Sequence, residues 1–146
     1  MDAVIVARSG EHRPVRSLMP MGIHLGARLP AFATSTGRVL LAGLDAVASR
    51  KRLQEAAFFA LTPHTLTSKR LLALEIARVR EQGFCYASQE HELGLHALAV
   101  AIRDTAGQVV AALNVVQSPM VTAPSDYQRR YLPLLLQAAG EARSLM

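Results

Sequence analysis

The sequence predicts an α+β fold: a mixed, mostly antiparallel sheet with helices on both faces. Three observations predict it. Residues 95–103 and 108–116 read as two strands joined across Asp104-Thr105-Ala106-Gly107, a hairpin signature. Both alternate phases of these strands are apolar, whereas a sheet wetted on one side would carry polar residues at every second place. Finally, residues 68–82 carry Leu72, Ile76 and Val79 at helical spacing, with Lys69, Arg78 and Glu81 largely elsewhere, so at least one helix has an apolar stripe to bury.

The elements follow in chain order. Residues 2–8, DAVIVAR, read as a short β-branched strand, with a turn at Ser9-Gly10-Glu11. Residues 15–21 form a second extended piece ended by Pro20 and Gly22, and Gly22 and Gly26 bracket a loop. The chain is organised around residues 28–44, RLPAFATSTGRVLLAGL. Pro30 fixes its own φ and biases Leu29 towards extension. Thr34, Ser35 and Thr36 then crowd ahead of Gly37 and an apolar run, giving strand, turn and a short buried helix. A side-chain oxygen satisfies an orphan amide at such a helix start. The free amides and the positive end of the helix dipole there suit an anion, and Gly37 removes a side chain where a ligand could approach. The other reading is a capped core helix that binds nothing.

Asp45 caps a second helix over residues 46–57. Thr62-Pro63-His64 breaks the chain, Thr67 or Ser68 opens the amphipathic helix, and Gly83 stops it. A strand follows at residues 84–88. In the hairpin, one phase is small: Ala97, Ala99 and Ala101 leave room for a closely packed helix or for a ligand. The paired phase of the next strand is Ala112, Asn114 and Val116, with one polar group in an apolar row. A buried Asn needs hydrogen-bond partners, either within the fold or on a ligand. The last helix opens with Ser125-Asp126-Tyr127-Gln128 in capping-box form, buries Leu132, Leu136 and Ala139, and is expected to kink between Arg129 and Pro133.

Composition narrows the function. With 51% hydrophobic and 18% charged residues, 146 residues make one domain with a real core, an aliphatic one because tryptophan is absent. The lone cysteine, Cys85, reads as a buried structural thiol and fits a cytoplasmic setting. No stretch is long and apolar enough to span a membrane, and residues 1–6 do not form a signal peptide. A net charge of +5 and pI ≈ 10.1 invite a nucleic-acid reading. The basic residues do not support it: Arg50-Lys51-Arg52, Lys69-Arg70 and Arg129-Arg130 fall on separate helices, with no aromatics between them. The same balance suits small anionic ligands.

Catalytic signatures are lacking. His91-Glu92-Leu93-Gly94-Leu95-His96 has one residue too many for a zinc-protease helix, since histidines at i and i+5 do not share a face. No G-x-S-x-G, P-loop or G-x-G-x-x-G occurs, and Ser35 has no evident base. The five histidines read as surface or turn residues, and Glu90 and Glu92 as a solvated turn. No catalytic residue, metal ligand set or cofactor is expected, and the chain is not read as an enzyme.

The run GARLPAFATSTGRVLLAGL (residues 26–44) resembles the signature of the effector-binding domain of IclR-type transcription regulators. Residues 83–118, GFCYASQEHELGLHALAVAIRDTAGQVVAALNVVQS, resemble that domain's second half: Gly83-Phe84, the acidic Glu90, Gly94-Leu95, an apolar strand, Asp104 to Gly107, and another apolar strand. The TSTGRVLLA form is most similar to the subgroup regulating aromatic-acid breakdown (protocatechuate, 4-hydroxybenzoate and β-ketoadipate).

The resemblance implies a GAF-like single effector-binding domain over residues 1–146. It also implies a fragment that lacks the family's N-terminal winged helix-turn-helix and first sheet strands. DNA would then be met only through a domain absent from this chain. The implied partners are a small anionic effector (an aromatic acid, keto acid or dicarboxylate) and further copies of the chain in a dimer or tetramer, with no membrane. The implied pocket has Ser35, Thr36 and Gly37 presenting amides and hydroxyls to a carboxylate, Leu95 and Ala97 as an apolar wall, Asn114 and Val116 on the opposite strand, and Arg16 as partner for a second carboxylate. Many relatives carry hydroxyl residues at the positions of Asn114 or Val116; the valine here disfavours very small polar ligands such as pyruvate. Two rival classes remain: a dimerisation module with a vestigial pocket, and a small α+β enzyme.

Overall fold

The computed structural model describes residues 1–9, 24–118 and 122–144. Strand β1 (Asp2–Val4) pairs antiparallel with β2 (Arg28–Pro30), Ala3 opposite Leu29. A 3-10 turn (Ala31–Ala33) leads into α1 (Ser35–Gly43), α2 (Ala46–Glu55) and α3 (Lys69–Gln82). Strands β3 (Phe84–Ser88), β4 (His96–Arg103) and β5 (Val109–Gln117) form an antiparallel sheet in the order β3-β4-β5, and α4 (Pro124–Arg143) closes the chain. Every strand pairing among the described residues is antiparallel. The first predicted strand shrinks from seven residues to three. The second extended piece, at residues 15–21, lies outside the described residues.

The helix boundaries follow their capping chemistry. Thr34 caps α1, its Oγ1 accepting from the Gly37 amide at 3.2 Å. Asp45 caps α2 by accepting from the Val47 and Ala48 amides, and Ser68 caps α3 by accepting from Leu71. Gly83 ends α3 at φ 81°, a left-handed conformation that glycine adopts without penalty. The final helix departs from expectation. Ala123 is its N-cap and makes no side-chain bond, so Ser125 lies within the first turn instead of capping it. The helix runs unbroken through Pro133. Its buried residues are Tyr127, Leu135 and Ala139, while Leu136 is exposed.

The sheet is covered on both faces. On one, Leu98, Val100 and Ile102 pack against Tyr127, Leu135 and Ala139 of α4. On the other, Cys85 and Ala99 lie beneath α1 and α3, packed with Phe32, Val39, Leu41, Leu72, Ile76 and Val79. Cys85 is fully buried, and desolvation pushes its thiol pKa up to about 12, so it is an inert packing group. The small-residue phase is what admits α1: Ala99 and Ala101 sit in that core, where larger side chains would hold the helix off.

Candidate functional site

The site is built from the N-terminus of α1 and the end of the sheet beneath it. Two contacts fix the direction of α1 across the sheet. Arg38, near its start, binds Glu90 in the β3–β4 connection, and Gly43, at its end, packs on Val109 at the start of β5. The helix therefore begins over the end of the sheet that carries Ala87, Ala97 and Val116, which are cross-strand neighbours. It ends over Ala101, Arg103 and Val109. The notch there encloses only ≈ 10 Å³, room for about one water and no metabolite.

The starting end is different. Leu95, Ala97 and Asn114 are half-buried and Val116 is exposed, while Ala99, one row further in, is sealed. By alternation, Leu95, Ala97 and Ala99 share the α1 face of β4, and Asn114 and Val116 stand opposite Ala99 and Ala97. The side-chain amide of Asn114 makes no hydrogen bond with the described residues, which leaves it available in an apolar row. Next to this surface begins α1, with Ser35, Thr36 and Arg38 all buried. The Ser35 hydroxyl is enclosed and has no hydrogen-bond partner among the described residues. An unpaired buried hydroxyl costs about 1–3 kcal/mol, and this one stands at the positive end of a helix.

Gly37 lets α1 pack closely on the turn before it. Its amide is given to Thr34, and a Cβ added to it would stand 2.2 Å from the Ala31 Cα. Arg16 lies outside the described residues.

Two groups near the site were missed by sequence reading. Glu90 is no solvated turn residue. Its carboxylate takes both terminal nitrogens of Arg38, one at 2.7 Å, and accepts from the Leu66 amide at 3.0 Å. Arg38 is 2% exposed and also donates from Nε to the Phe32 carbonyl at 2.8 Å. Burial pulls the Arg38 pKa down, but the hydrogen bonds and charge of Glu90 outweigh it and the net direction is up. Nothing in the spacing of residues 38 and 90 announces this pair. The second missed group is His96, which was expected at the surface. It is 1% exposed, on the α4 face, stacked on Tyr127 with centroids 3.9 Å apart, its Nδ1 hydrogen-bonded to the Tyr86 hydroxyl at 3.1 Å. Its Nε2 is buried and has no partner among the described residues. Its even-numbered place in the strand, in phase with Leu98 and Val100, was the available signal.

Desolvation lowers the pKa of both His96 and the half-buried His91 below 6.5. Below that value the unfolded chain binds protons that the folded one refuses, so folding stability falls as pH falls. Each histidine contributes a slope of up to about 1.4 kcal/mol per pH unit until its folded pKa is reached. Urea midpoints measured from pH 7.5 to 5.5 should decline with acid, and His96→Phe should remove part of that decline.

The comparisons with known proteins bear on this geometry. Residues 2–143 match the family model described as the bacterial transcriptional regulator IclR C-terminal. The chain belongs to the IclR family. It matches the part of these regulators that lies C-terminal, and it is a regulator domain, not an enzyme. It is 43% identical, over 99% of its length, to the Pca operon regulatory protein of Acinetobacter baylyi. It is 39% identical, over 87%, to the p-hydroxybenzoate hydroxylase transcriptional activator of the same organism. It spans about half of each relative, 52% and 47%. Its fold superposes with a TM-score of 0.91, at 37% identity, on a double mutant of the PobR inducer-binding domain from Acinetobacter in complex with 3-hydroxybenzoic acid, covering 99% of this chain and 83% of that one. The expected GAF-like α+β class is the fold observed. No helix of the described residues is long and apolar enough to cross a membrane.

Proposed function

We propose that this chain is the sensing domain of a cytoplasmic regulator of aromatic-acid catabolism, and that its effector is a hydroxylated aromatic monocarboxylate. The observation that carries the reading is the enclosed, unpartnered hydroxyl of Ser35 at the first residue of α1. The carboxylate takes this hydroxyl and the first amides of the helix, Ser35 and Thr36, where the dipole favours negative charge. Leu95, Ala97 and Val116 supply the apolar wall for the ring, and Asn114 supplies a hydrogen bond to a ring hydroxyl. Gly37 acts behind the site by letting α1 close on Ala31. The similarity to a Pca operon regulatory protein, to a p-hydroxybenzoate hydroxylase transcriptional activator, and to a domain in complex with 3-hydroxybenzoic acid supports the ligand class. In the whole regulator, effector binding would bias DNA-binding arms carried on another part of the chain, within a homodimer or tetramer. Such a switch requires different affinities for two arrangements, not merely tight binding.

Calorimetry with benzoate, 3-hydroxybenzoate, 4-hydroxybenzoate and protocatechuate tests the reading. Ser35→Ala should weaken every acid at least tenfold, since a hydrogen bond to a charged group is worth about 1.5–3 kcal/mol. It should leave the ligand-free domain as stable or slightly more so, because it removes an unsatisfied hydroxyl. Asn114→Leu should spare benzoate and weaken the hydroxylated acids. If no acid on a wide panel binds the wild type, the domain is a dimerisation module whose pocket is vestigial.

A further inference from the structure

The effector site has two walls that are far apart in sequence. One is the start of α1 with Ser35; the other is the start of β4 with Leu95 and Ala97. Something has to hold them at a fixed separation, because a carboxylate and a ring are gripped only when both walls are in place. Leu95 lies just before His96, the first residue of β4, and its carbonyl accepts from the Gln89 amide at 2.6 Å, so its position follows that of the β3–β4 connection. The connection that bears it, residues 89–95, is irregular and includes Gln89 at φ 57°, an uncommon left-handed conformation for a side chain of this kind.

One carboxylate joins the pieces. Glu90 grips Arg38, which lies one helical turn after Ser35, with both arms of the guanidinium. The same carboxylate accepts the Leu66 amide, and the Glu90 carbonyl accepts the Thr65 hydroxyl at 2.6 Å. The neighbouring Gln89 carbonyl accepts the Thr62 hydroxyl, also at 2.6 Å. Arg38 reaches back through Nε to Phe32. The helix start, the turn before it, the β3–β4 connection and the 61–66 turn therefore converge on a single ion pair.

Buried ion pairs are a poor source of stability, because desolvation offsets the attraction. Apolar residues of similar volume often serve the fold as well or better. The better-attested use of such a pair is to specify one arrangement among several. A second consequence concerns charge. Glu90 neutralises Arg38, so the guanidinium is not available to an anionic ligand and the helix start is left to supply the positive potential.

We infer that Arg38 and Glu90 are the positioning pair of the effector site. They set the separation of its two walls and couple its occupancy to the 61–66 turn. The inference rests on the placement of the effector at Ser35. A ligand that draws Ser35 and Leu95 together tightens the Arg38–Glu90 contact and, through Glu90, the hold on Thr62, Thr65 and Leu66.

The test compares the wild-type domain with Arg38→Met/Glu90→Leu, an apolar pair of similar volume, and with Glu90→Gln, which keeps the shape and removes the charge. The probes are 3-hydroxybenzoate and 4-hydroxybenzoate, read by calorimetry, with thermal melts and amide hydrogen exchange. The apolar pair is expected to melt within a few degrees of the wild type and to bind both acids at least tenfold more weakly. Addition of acid should protect the Thr62 and Leu66 amides in the wild type and not in the variant. If the apolar pair fails to fold, Glu90→Gln takes its place, with the same loss of affinity expected. A well-folded variant that binds the acids as tightly as the wild type overturns the pair's role while leaving the Ser35 site standing. A wild type whose binding Ser35→Ala does not weaken, or which binds neither acid, overturns the placement of the effector, and the positioning role with it.

Discussion

Glu90→Leu alone should be among the most damaging single substitutions in the domain, costing about 3–5 kcal/mol. The loss does not measure the worth of the ion pair. It is the cost of leaving Arg38, 2% exposed and held by the Phe32 carbonyl, with a buried charge and no counter-ion. Arginine cannot escape by losing its proton, because its pKa lies beyond any accessible pH. The chain must either admit water to the guanidinium or push Arg38 out from under α1. Both disrupt the packing of α1 on Cys85 and Ala99. Leu66 loses its acceptor as well. In a thermal melt of a domain this size, the expected fall is about 10 °C or more. Adding Arg38→Met should recover most of it, so the two losses are strongly non-additive. A Glu90→Leu protein that melts with the wild type would mean that Arg38 finds another partner, and that Glu90 does not hold α1 in place.

The pair also marks the boundary of what sequence reading can reach. Helices α2 and α3 were legible because their determinants are local: an Asp cap opens α2, and in α3 a Ser cap, an apolar stripe and a glycine stop lie within about 15 residues of one another. The β4–β5 hairpin was legible for the same reason, and its doubly apolar pattern correctly required cover on both faces. The face assignment of Ala97, Asn114 and Val116 followed from alternation. Arg38 and Glu90 are 52 residues apart in sequence, and each taken alone reads as a solvated charge. Their burial follows from the way α1 lies across the sheet, which no local pattern encodes. In α4 the apolar residues surround the helix at Leu132, Leu134, Leu135 and Leu136, so periodicity admits more than one stripe. Tyr127 selects the phase. Its hydroxyl donates to the Val115 carbonyl at 2.9 Å and its ring stacks on His96, which turns Leu135 inward and Leu136 outward. The capping box failed because Pro124 suits the first helical position and starts the helix one residue before Ser125.

Gly37→Ala should damage both the fold and the site, because the close approach of α1 to the preceding turn leaves no room for a Cβ. The added methyl would lie 2.2 Å from the Ala31 Cα, 2.4 Å from its oxygen and 2.7 Å from its carbonyl carbon. These are backbone atoms of the turn that feeds α1, so no side chain can swing aside, and the turn and the helix must separate. Overpacking typically costs about 1–3 kcal/mol, and a clash of backbone against backbone belongs at the upper end or beyond. In an ordinary helix interior the same change would stabilise by up to about 1 kcal/mol, so even the sign of the effect tests the contact. The separation also strains two bonds that shape the site: the Arg38 Nε contact to Phe32 and the Thr34 cap on the Gly37 amide. Ser35 lies between them. The variant should therefore melt well below the wild type and, at temperatures where it remains folded, bind hydroxybenzoate at least tenfold more weakly. Gly83→Ala provides the control: it places a methyl in open space at φ 81°, strains only the end of α3, and should lower stability by about 1 kcal/mol with affinity unchanged. A Gly37→Ala domain that is stable yet fails to bind would instead place the glycine in contact with the ligand. One that is stable and binds normally would show that α1 and the turn have slack, and that the site does not depend on their close approach.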